Sequence, residues 1–269
     1  MRFERLPSNV ILFPSPLIED DLDEIPDISP VRLETEADEI TDINPVETEE
    51  IPELLYSDRF IAVINKPAGI PMNRNYDHPE GITEMMRRAG EGIPVHRLDM
   101  ETSGILVLGK TRDARRNLHN QFGRREVRKT YLAIARGFWD DRLAGIIAPL
   151  LSNGRSTEVS MEEGAKEAAT AFEQIGRVWD YQGNPYSFLR VRIFSGRMHQ
   201  IRAHLAHLGH AIAGDKRYGL DEDSDRFPRH LLHASELTIL HPATKRKMTF
   251  TAPLPSDFPM LIPIIPSAG

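Results

Sequence analysis

An α+β fold built on a mainly antiparallel sheet is what this sequence predicts. Three observations point there. Segments of strand character outnumber those of helical character, many connections between them are short, and ELTILHPATKRKMTFTAP (236–253) reads as a hairpin around Pro242-Ala243-Thr244-Lys245. With 40% apolar residues in 269, the chain can bury a sizeable core. It shows no internal repeat.

The elements follow in order. FIAVINK (60–66) is a strand stopped by the turn-forming Pro67-Ala68-Gly69. ITEMMRRA (82–89) is a short helix. IPVHRL (93–98) and GILVLGK (104–110) are two strands separated by the polar turn DMETS. Thr111 caps a helix through DARRNLHNQF, ended at Gly123. KTYLAIARG (129–137), TAFEQIGRV (170–178) and YSFLRVRIF (186–194) alternate as strands, the last with Arg190 and Arg192 on one face. RMHQIRAHLAHLG (197–209) has helical period, with Gly209 as its stop.

Charge is divided unevenly along the chain. Residues 1–55 carry 16 acidic and 3 basic residues, against 24 and 30 in the remainder, so the net charge of −7 hides a mildly basic domain. LIEDDLDEIPDISPVRLETEADEITDINPVETEEIPE, from residue 17 onward, is acidic, proline-dotted and free of aromatics. Such a stretch buries too little apolar surface to offset its ordering. The expected organisation is an acidic, disordered tail over 1–53, a folded domain over 54–258 and a C-terminal tail over 259–269. Cysteine is absent, which excludes disulfides and thiolate metal sites. The N-terminal apolar run is only VILF, and no stretch approaches the roughly 20 apolar residues that span a bilayer. A cytoplasmic protein without membrane contact is expected.

Three places could carry chemistry. GILVLGKT (104–111) fits the phosphate-loop pattern G-x-x-x-x-G-K-[ST], whose backbone N–H groups must curl around phosphates. Its variable positions, Ile105, Leu106, Val107 and Leu108, favour a buried strand instead. His199, His204, His207 and His210 cluster, but at spacings of five, three and three with only Asp215 nearby, so no metal site is expected. HRLDMETSG places Asp99 in a turn after a strand, which alone is ordinary turn chemistry.

The resemblance of other segments changes the weight of that aspartate. HRLDMETSGILVLGKT resembles the signature HRLDxxTSGxxxxA of the RluA-like pseudouridine synthases, departing at Gly109, where alanine is usual. In family order come LLYSDRFIAVINKPAGIPMN, similar to its N-K-P-x-G turn, and RKTYLAIARG, similar to its K-x-Y strand. SGRMHQIRAHLAHLGHAIAGDKRYG resembles the G-R-x-H-Q-I-R helix with its trailing G-D-x-x-Y-G, and HLLHASELTILHP the closing L-H-A segment. The resemblance covers roughly residues 54–254. It implies an active-site cleft across a mixed sheet with peripheral helices. It also implies isomerisation of uridine in RNA to its C-glycoside, with no metal or organic cofactor.

By the same resemblance Asp99 is catalytic, as nucleophile or as base on the sugar, and Arg202 is its partner. Tyr131 stacks on the target base, although a core strand aromatic would be placed the same way. Arg97 fills the space that the flipped base leaves, the alternative being a salt bridge to Asp99. Lys129, Arg197 and His199 contact RNA, as do Arg124, Arg125 and Arg128 if that run is more than surface charge, and Leu232 packs against the base. Ribosomal large-subunit RNA and transfer RNA are both open as substrates, and a monomer is expected. Several relatives carry a small basic domain where this chain has its acidic stretch. A non-catalytic RNA-binding protein of this fold and a nucleotide hydrolase using Gly104–Thr111 are the rival readings.

Overall fold

The computed structural model describes residues 11–13, 52–140, 143–180, 182–220, 226–258 and 262–263. Most of the expected tails, 1–53 and 259–269, therefore lies outside the described residues. In chain order the elements are β1 (Ile11–Phe13), β2 (Glu53–Ser57), β3 (Ile61–Lys66), α1 (Ile82–Arg88), β4 (Ile93–Pro94), β5 (Ser103–Gly109) and α2 (Arg112–Gly123). There follow β6 (Arg128–Arg136), β7 (Gly145–Ile147), β8 (Leu150–Ser152), β9 (Thr157–Val159), β10 (Ala169–Trp179) and β11 (Pro185–Ile193). The chain closes with α3 (Gln200–His207), β12 (Leu232–Leu240), β13 (Lys247–Thr251) and β14 (Ile262–Pro263).

One twelve-stranded sheet dominates, its main path running β1-β7-β10-β11-β6-β12-β5-β3-β2. The pairings are antiparallel except between β12 and β5, which run parallel over only Ser103–Gly104 and His233–Ala234. The α+β expectation holds, with this short parallel junction making the sheet mixed. VILF, the apolar run near the N-terminus, supplies β1, which pairs with β7 at the edge opposite β2.

The phosphate-loop match is a strand in the middle of this sheet. Ile105 and Val107 pack with Ile61, Val63, Leu118, Leu237 and Ile239 on one side. Leu106 and Leu108 pack with Ile64, Met86, Leu205 and Leu232 on the other. Each fully buried aliphatic side chain of this kind contributes about 1.5–3 kcal/mol. The backbone of β5 pairs with β3 from Gly104 to Gly109, so it does not form the loop that cradling phosphate requires. Lys110 instead pairs with Glu91 at 2.7 Å.

Two expected elements are shorter than their patterns. Only Ile93–Pro94 of IPVHRL is strand, because Pro94 has no N–H and His96 Nε2 accepts the Val107 N–H in place of a carbonyl. Helix α3 begins at Gln200 rather than Arg197, because His199 takes φ 51 in the left-handed region and starts the helix abruptly. By contrast, Thr111 accepts the Ala114 N–H as the expected cap of α2.

These features place three strand ends and one helix together. Tyr131 on β6 stands opposite Ala234 on β12, and Ala234 stands opposite Gly104 on β5. A bulge in β12 between Ala234 and Glu236 lies beside Tyr131, and bulges re-aim neighbouring side chains. Gly104, at φ +109, lets the two strands touch: a Cβ there would lie 2.2 Å from the Ala234 carbonyl oxygen. Gly104→Ala is expected to lower the unfolding free energy by roughly 2–4 kcal/mol in denaturant titration. An unchanged midpoint would refute this close approach.

Candidate active site

A cleft opens where the turn before β5 meets β6, β12 and the start of α3. Arg97, Asp99, Tyr131, Arg197, His199, Arg202 and Leu232 all line it, so the structure brings together seven of the eight residues expected at the site. Lys129 lies outside the lining, its Nζ donating to the Ser195 carbonyl at 3.0 Å. Burial, with the Arg125 charge adding to it, lowers the Lys129 pKa to about 8. Arg124, Arg125 and Arg128 do not line the cleft either.

Asp99 is anchored through one oxygen. Its Oδ2 accepts from Arg202 Nη1 at 2.9 Å and lies 3.8 Å from His199 Nε2. The salt bridge of Asp99 is therefore with Arg202, while Arg97 is an exposed side chain on the rim. Oδ1 accepts no hydrogen bond from the described residues, which leaves it available to a bound molecule.

Arg202 is itself held from behind. Its Nε and Nη2 donate to Asp215 Oδ2 and Oδ1 at 2.7 and 2.9 Å, a bidentate pair that leaves Nη1 for Asp99. The Asp215 side chain is fully buried. Burial pushes its carboxyl pKa up, but the Arg202 hydrogen bonds and charge outweigh that and hold it below the usual carboxylate range. Arg202 moves the opposite way: burial opposes its charge, and the two carboxylates raise its pKa above the ordinary guanidinium value. The Arg202 guanidinium also lies over the Tyr218 ring, 5.1 Å from its centroid.

Tyr218 positions the His199 ring. Its hydroxyl accepts the Thr157 N–H at 2.7 Å and lies 2.8 Å from His199 Nδ1, while Nε2 lies 3.8 Å from Asp99 Oδ2. Burial lowers the His199 pKa, countered in part by Asp99, so the ring is neutral near pH 7.

The turn that carries Asp99 is pinned through its carbonyls. Lys66 Nζ donates to the carbonyls of Pro67, Met100 and Thr102 at 2.8, 2.8 and 3.1 Å. Arg229 Nη1 donates to the Glu101, His230 and Leu232 carbonyls, while its Nε and Nη2 clasp Asp257. Thr102 Oγ1 lies 2.9 Å from His230 Nε2. Residue-by-residue reading gave no role to Lys66, Asp215, Tyr218 or Arg229. The signal for the first three was present, since they sit inside the matched N-K-P-x-G and G-D-x-x-Y-G segments.

Tyr131 is 8% exposed, so it serves the core and the cleft at once. Burial and then the Asp99 charge raise its pKa above that of an ordinary phenol, and it is a neutral phenol at pH 7. Among the described residues no group of three or more His, Asp or Glu side chains could hold a metal. His204 bonds instead to Thr170 Oγ1 and the Ala148 carbonyl.

Fold and cleft together are those of an RNA pseudouridine synthase. The solved human RNA pseudouridylate synthase domain containing 1 aligns with TM-score 0.69 and 26% identity, covering 82% of this chain and 92% of that one. Human RNA pseudouridylate synthase domain containing 4 shares the fold, with TM-score 0.61, 22% identity, and 77% and 90% coverage. The RNA pseudouridylate synthase family model matches residues 61–207. The chain belongs to the RluA-like family of RNA pseudouridine synthases and is an isomerase.

Its relatives include the dual-specificity RNA pseudouridine synthase RluA of Haemophilus influenzae, 36% identical over 77% of this chain and 94% of the relative. The Escherichia coli K12 protein of that name is 37% identical over 76% and 93%. The ribosomal large subunit pseudouridine synthase C of Buchnera aphidicola subsp. Acyrthosiphon pisum is 34% identical over 88% and 78%.

The Arg202–Asp215 pair generates a prediction with a defined sign. Because the folded-state pKa of Asp215 is depressed, the unfolded chain binds its proton first on acidification. The stabilisation is complete above the ordinary carboxylate pKa near 3.8 and is lost as pH falls through the lower folded value. Asp215→Asn leaves Arg202 without its buried partner and is expected to cost about 3–5 kcal/mol at pH 7. Stability measured from pH 7 to pH 2 should fall less steeply in that variant below about pH 4, and parallel curves would refute the depressed carboxyl.

Proposed function

We propose that this enzyme isomerises specific uridines in structured RNA, ribosomal large-subunit or transfer RNA, with Asp99 as the catalytic residue. One observation carries the reading: a carboxylate anchored through Oδ2 to Arg202, with Oδ1 open to a cleft walled by Tyr131 and Leu232. The names of the bacterial relatives, dual-specificity toward RNA in two and ribosomal large subunit in the third, support an RNA substrate and, in the third, the ribosomal class. The described core needs no second subunit to complete the cleft, which favours a monomer, and the isomerisation is redox-neutral and proceeds without metal or cofactor. A cytoplasmic location follows from the RNA substrate, and no helix among the described residues is long and apolar enough to cross a membrane.

In the reaction the bond from C1′ to N1 breaks, the uracil turns, and C5 bonds to C1′. N1 gains a proton and C5 loses one, so the balance requires no outside reductant or oxidant. Asp99 acts on the sugar, as nucleophile or as base, in the charged form that Arg202 stabilises. The target base must first leave its stack, at a cost of a few kcal/mol. Arg97, on the rim, fills the vacated place, and Tyr131 receives the base against its ring. Arg197, His199 and Lys129 contribute backbone contacts around the entrance.

Tyr131 also has a role late in the reaction. Its high pKa depends partly on the nearby Asp99 charge. Once C5 has bonded to C1′ and Asp99 is again a free carboxylate, Tyr131 therefore stays a neutral phenol, and its hydroxyl oxygen helps to hand the C5 proton on to solvent.

Residues 54–258 form the catalytic domain in this reading. We further propose that the acidic residues ahead of it oppose RNA binding electrostatically where they come near the cleft. Asp99→Asn is expected to retain fold and RNA affinity while lowering isomerisation below detection, scored by chemical mapping of pseudouridine in a transcript. Turnover in that variant would sink the assignment. Mapping RNA from cells lacking the protein identifies the uridine.

A further inference from the structure

A second cleft, with a volume of about 620 Å³, also reaches Asp99, and Tyr131 is not among its lining residues. The two clefts share Arg97, Asp99, His199 and Arg202, so an occupant of one is continuous with an occupant of the other. What distinguishes the second is the turn after α3, Asp215 to Gly219, which brings Lys216 and Arg217 to its wall.

That turn is built rigidly and tied to the catalytic carboxylate. Asp215 Oδ1 accepts the backbone N–H groups of Arg217 and Tyr218 at 3.0 and 3.1 Å, while its side chain clasps Arg202. Gly214 enters it at φ +75, where a Cβ would lie 2.1 Å from the Arg229 carbonyl oxygen. The connection Asp99–Arg202–Asp215–Arg217 therefore runs through hydrogen bonds of 2.7 to 3.0 Å.

The charges in this cleft do not cancel. Asp99 is paired with Arg202, and Arg229 is buried and paired with Asp257. His230 is neutral, burial and the Arg202 charge lowering its pKa to about 3. Lys216, Arg217 and Arg97 are exposed, and their side chains have no hydrogen-bond or ion-pair partner among the described residues. Glu101 is the one unpaired carboxylate among the described lining residues. Because one Arg202 serves both Asp99 and Asp215, the exposed Lys216, Arg217 and Arg97 stand against Glu101 and one further negative charge of that network, and the wall keeps a positive balance.

We propose that the Lys216–Arg217 turn is a subsite for the RNA phosphodiester backbone, holding nucleotides that flank the target uridine while its base occupies the Tyr131 cleft. The inference rests on the catalytic reading above. The ligand is an RNA strand rather than a small anion, because the cleft continues into the one where the base is processed. Phosphate contacts of this kind position a substrate without reading its sequence.

The test uses the full chain and an unmodified RNA transcript that the wild-type protein isomerises. Lys216→Ala with Arg217→Ala is expected to weaken RNA binding about tenfold near ~100 mM salt, with the loss appearing in KM. Each lost contact should also shorten the slope of log affinity against log salt by about 0.7–0.9. Arg217→Lys, which keeps the charge, should retain the slope even if the alanine pair disturbs the turn. Lys247→Ala, on the far end of the β12–β13 hairpin, should change neither quantity. Wild-type affinity and slope in the alanine pair, or a slope lost equally in Arg217→Lys, overturns the subsite. Asp99→Asn run alongside separates the two claims, since its turnover bears on the catalytic reading alone.

Discussion

Arg202 is the residue on which the rest of the site depends, and it is a costly one to bury. Taking a guanidinium out of water costs several kcal/mol unless good geometry compensates. Here the compensation is a planar fork: two donors to Asp215 and one to Asp99, with the Tyr218 ring against the guanidinium. Remove Asp215 and the balance fails, because Asp99 holds only one of the three donors. Asp215 in turn can stay charged at zero exposure only because Arg202 and two backbone N–H groups face it. One ion-pair network thus orients Asp99, shapes the turn after α3 and locates Tyr218, which fixes the His199 ring.

A second set of contacts prevents the Asp99 turn from relaxing toward its partner. Lys66, at the end of β3, and Arg229, in the bend before β12, hold the carbonyls of Met100, Glu101 and Thr102. Backbone carbonyls pinned by cations cannot rotate without leaving a buried donor unsatisfied, which costs about 1–3 kcal/mol each. Burial lowers the Lys66 pKa to about 7, against the opposing pull of Glu101 and Asp99, so its three-donor ammonium form is held by those neighbouring charges. Held from both sides, Asp99 presents Oδ1 to the cleft with little reorganisation left for the reaction to require.

Much of this was legible in the sequence, for identifiable reasons. Strands such as FIAVINK and GILVLGK announce themselves because burial on both faces demands uninterrupted apolar residues, and the structure buries Ile105 to Leu108 completely. The match of five ordered segments found Asp99, Tyr131 and Arg202, which the fold does bring into one cleft. Short elements were illegible: β7, β8 and β9 are three residues each, too short for any period to show. The αL turn at His199 was missed because nothing in RMHQ marks a break in helical period. Asp215 was weighed only as a metal ligand. Its partner lies 13 residues earlier and meets it through the helix-to-turn geometry, a relation that spacing does not encode. Lys66 was invisible as a brace because its three acceptors are backbone atoms.

The distribution of charge explains how a chain of net charge −7 can take RNA as its substrate. Exposed charges act through water over about 8 Å at physiological ionic strength, so a polyanion at the cleft responds to its neighbours rather than to the total. Those neighbours are Arg97, Arg197, Lys216 and Arg217, against the one negative charge left when Arg202 is shared between Asp99 and Asp215. The acidic excess sits in residues 1–55, joined to the fold at β1 on one edge and β2 on the other. Segregation of this kind lets the catalytic surface attract phosphate while the molecule as a whole repels its own copies, an advantage for solubility that a uniformly basic enzyme would lack. Screening by salt weakens the attraction at the cleft. The local balance of exposed cations, and not the isoelectric point, is therefore the quantity that governs substrate capture.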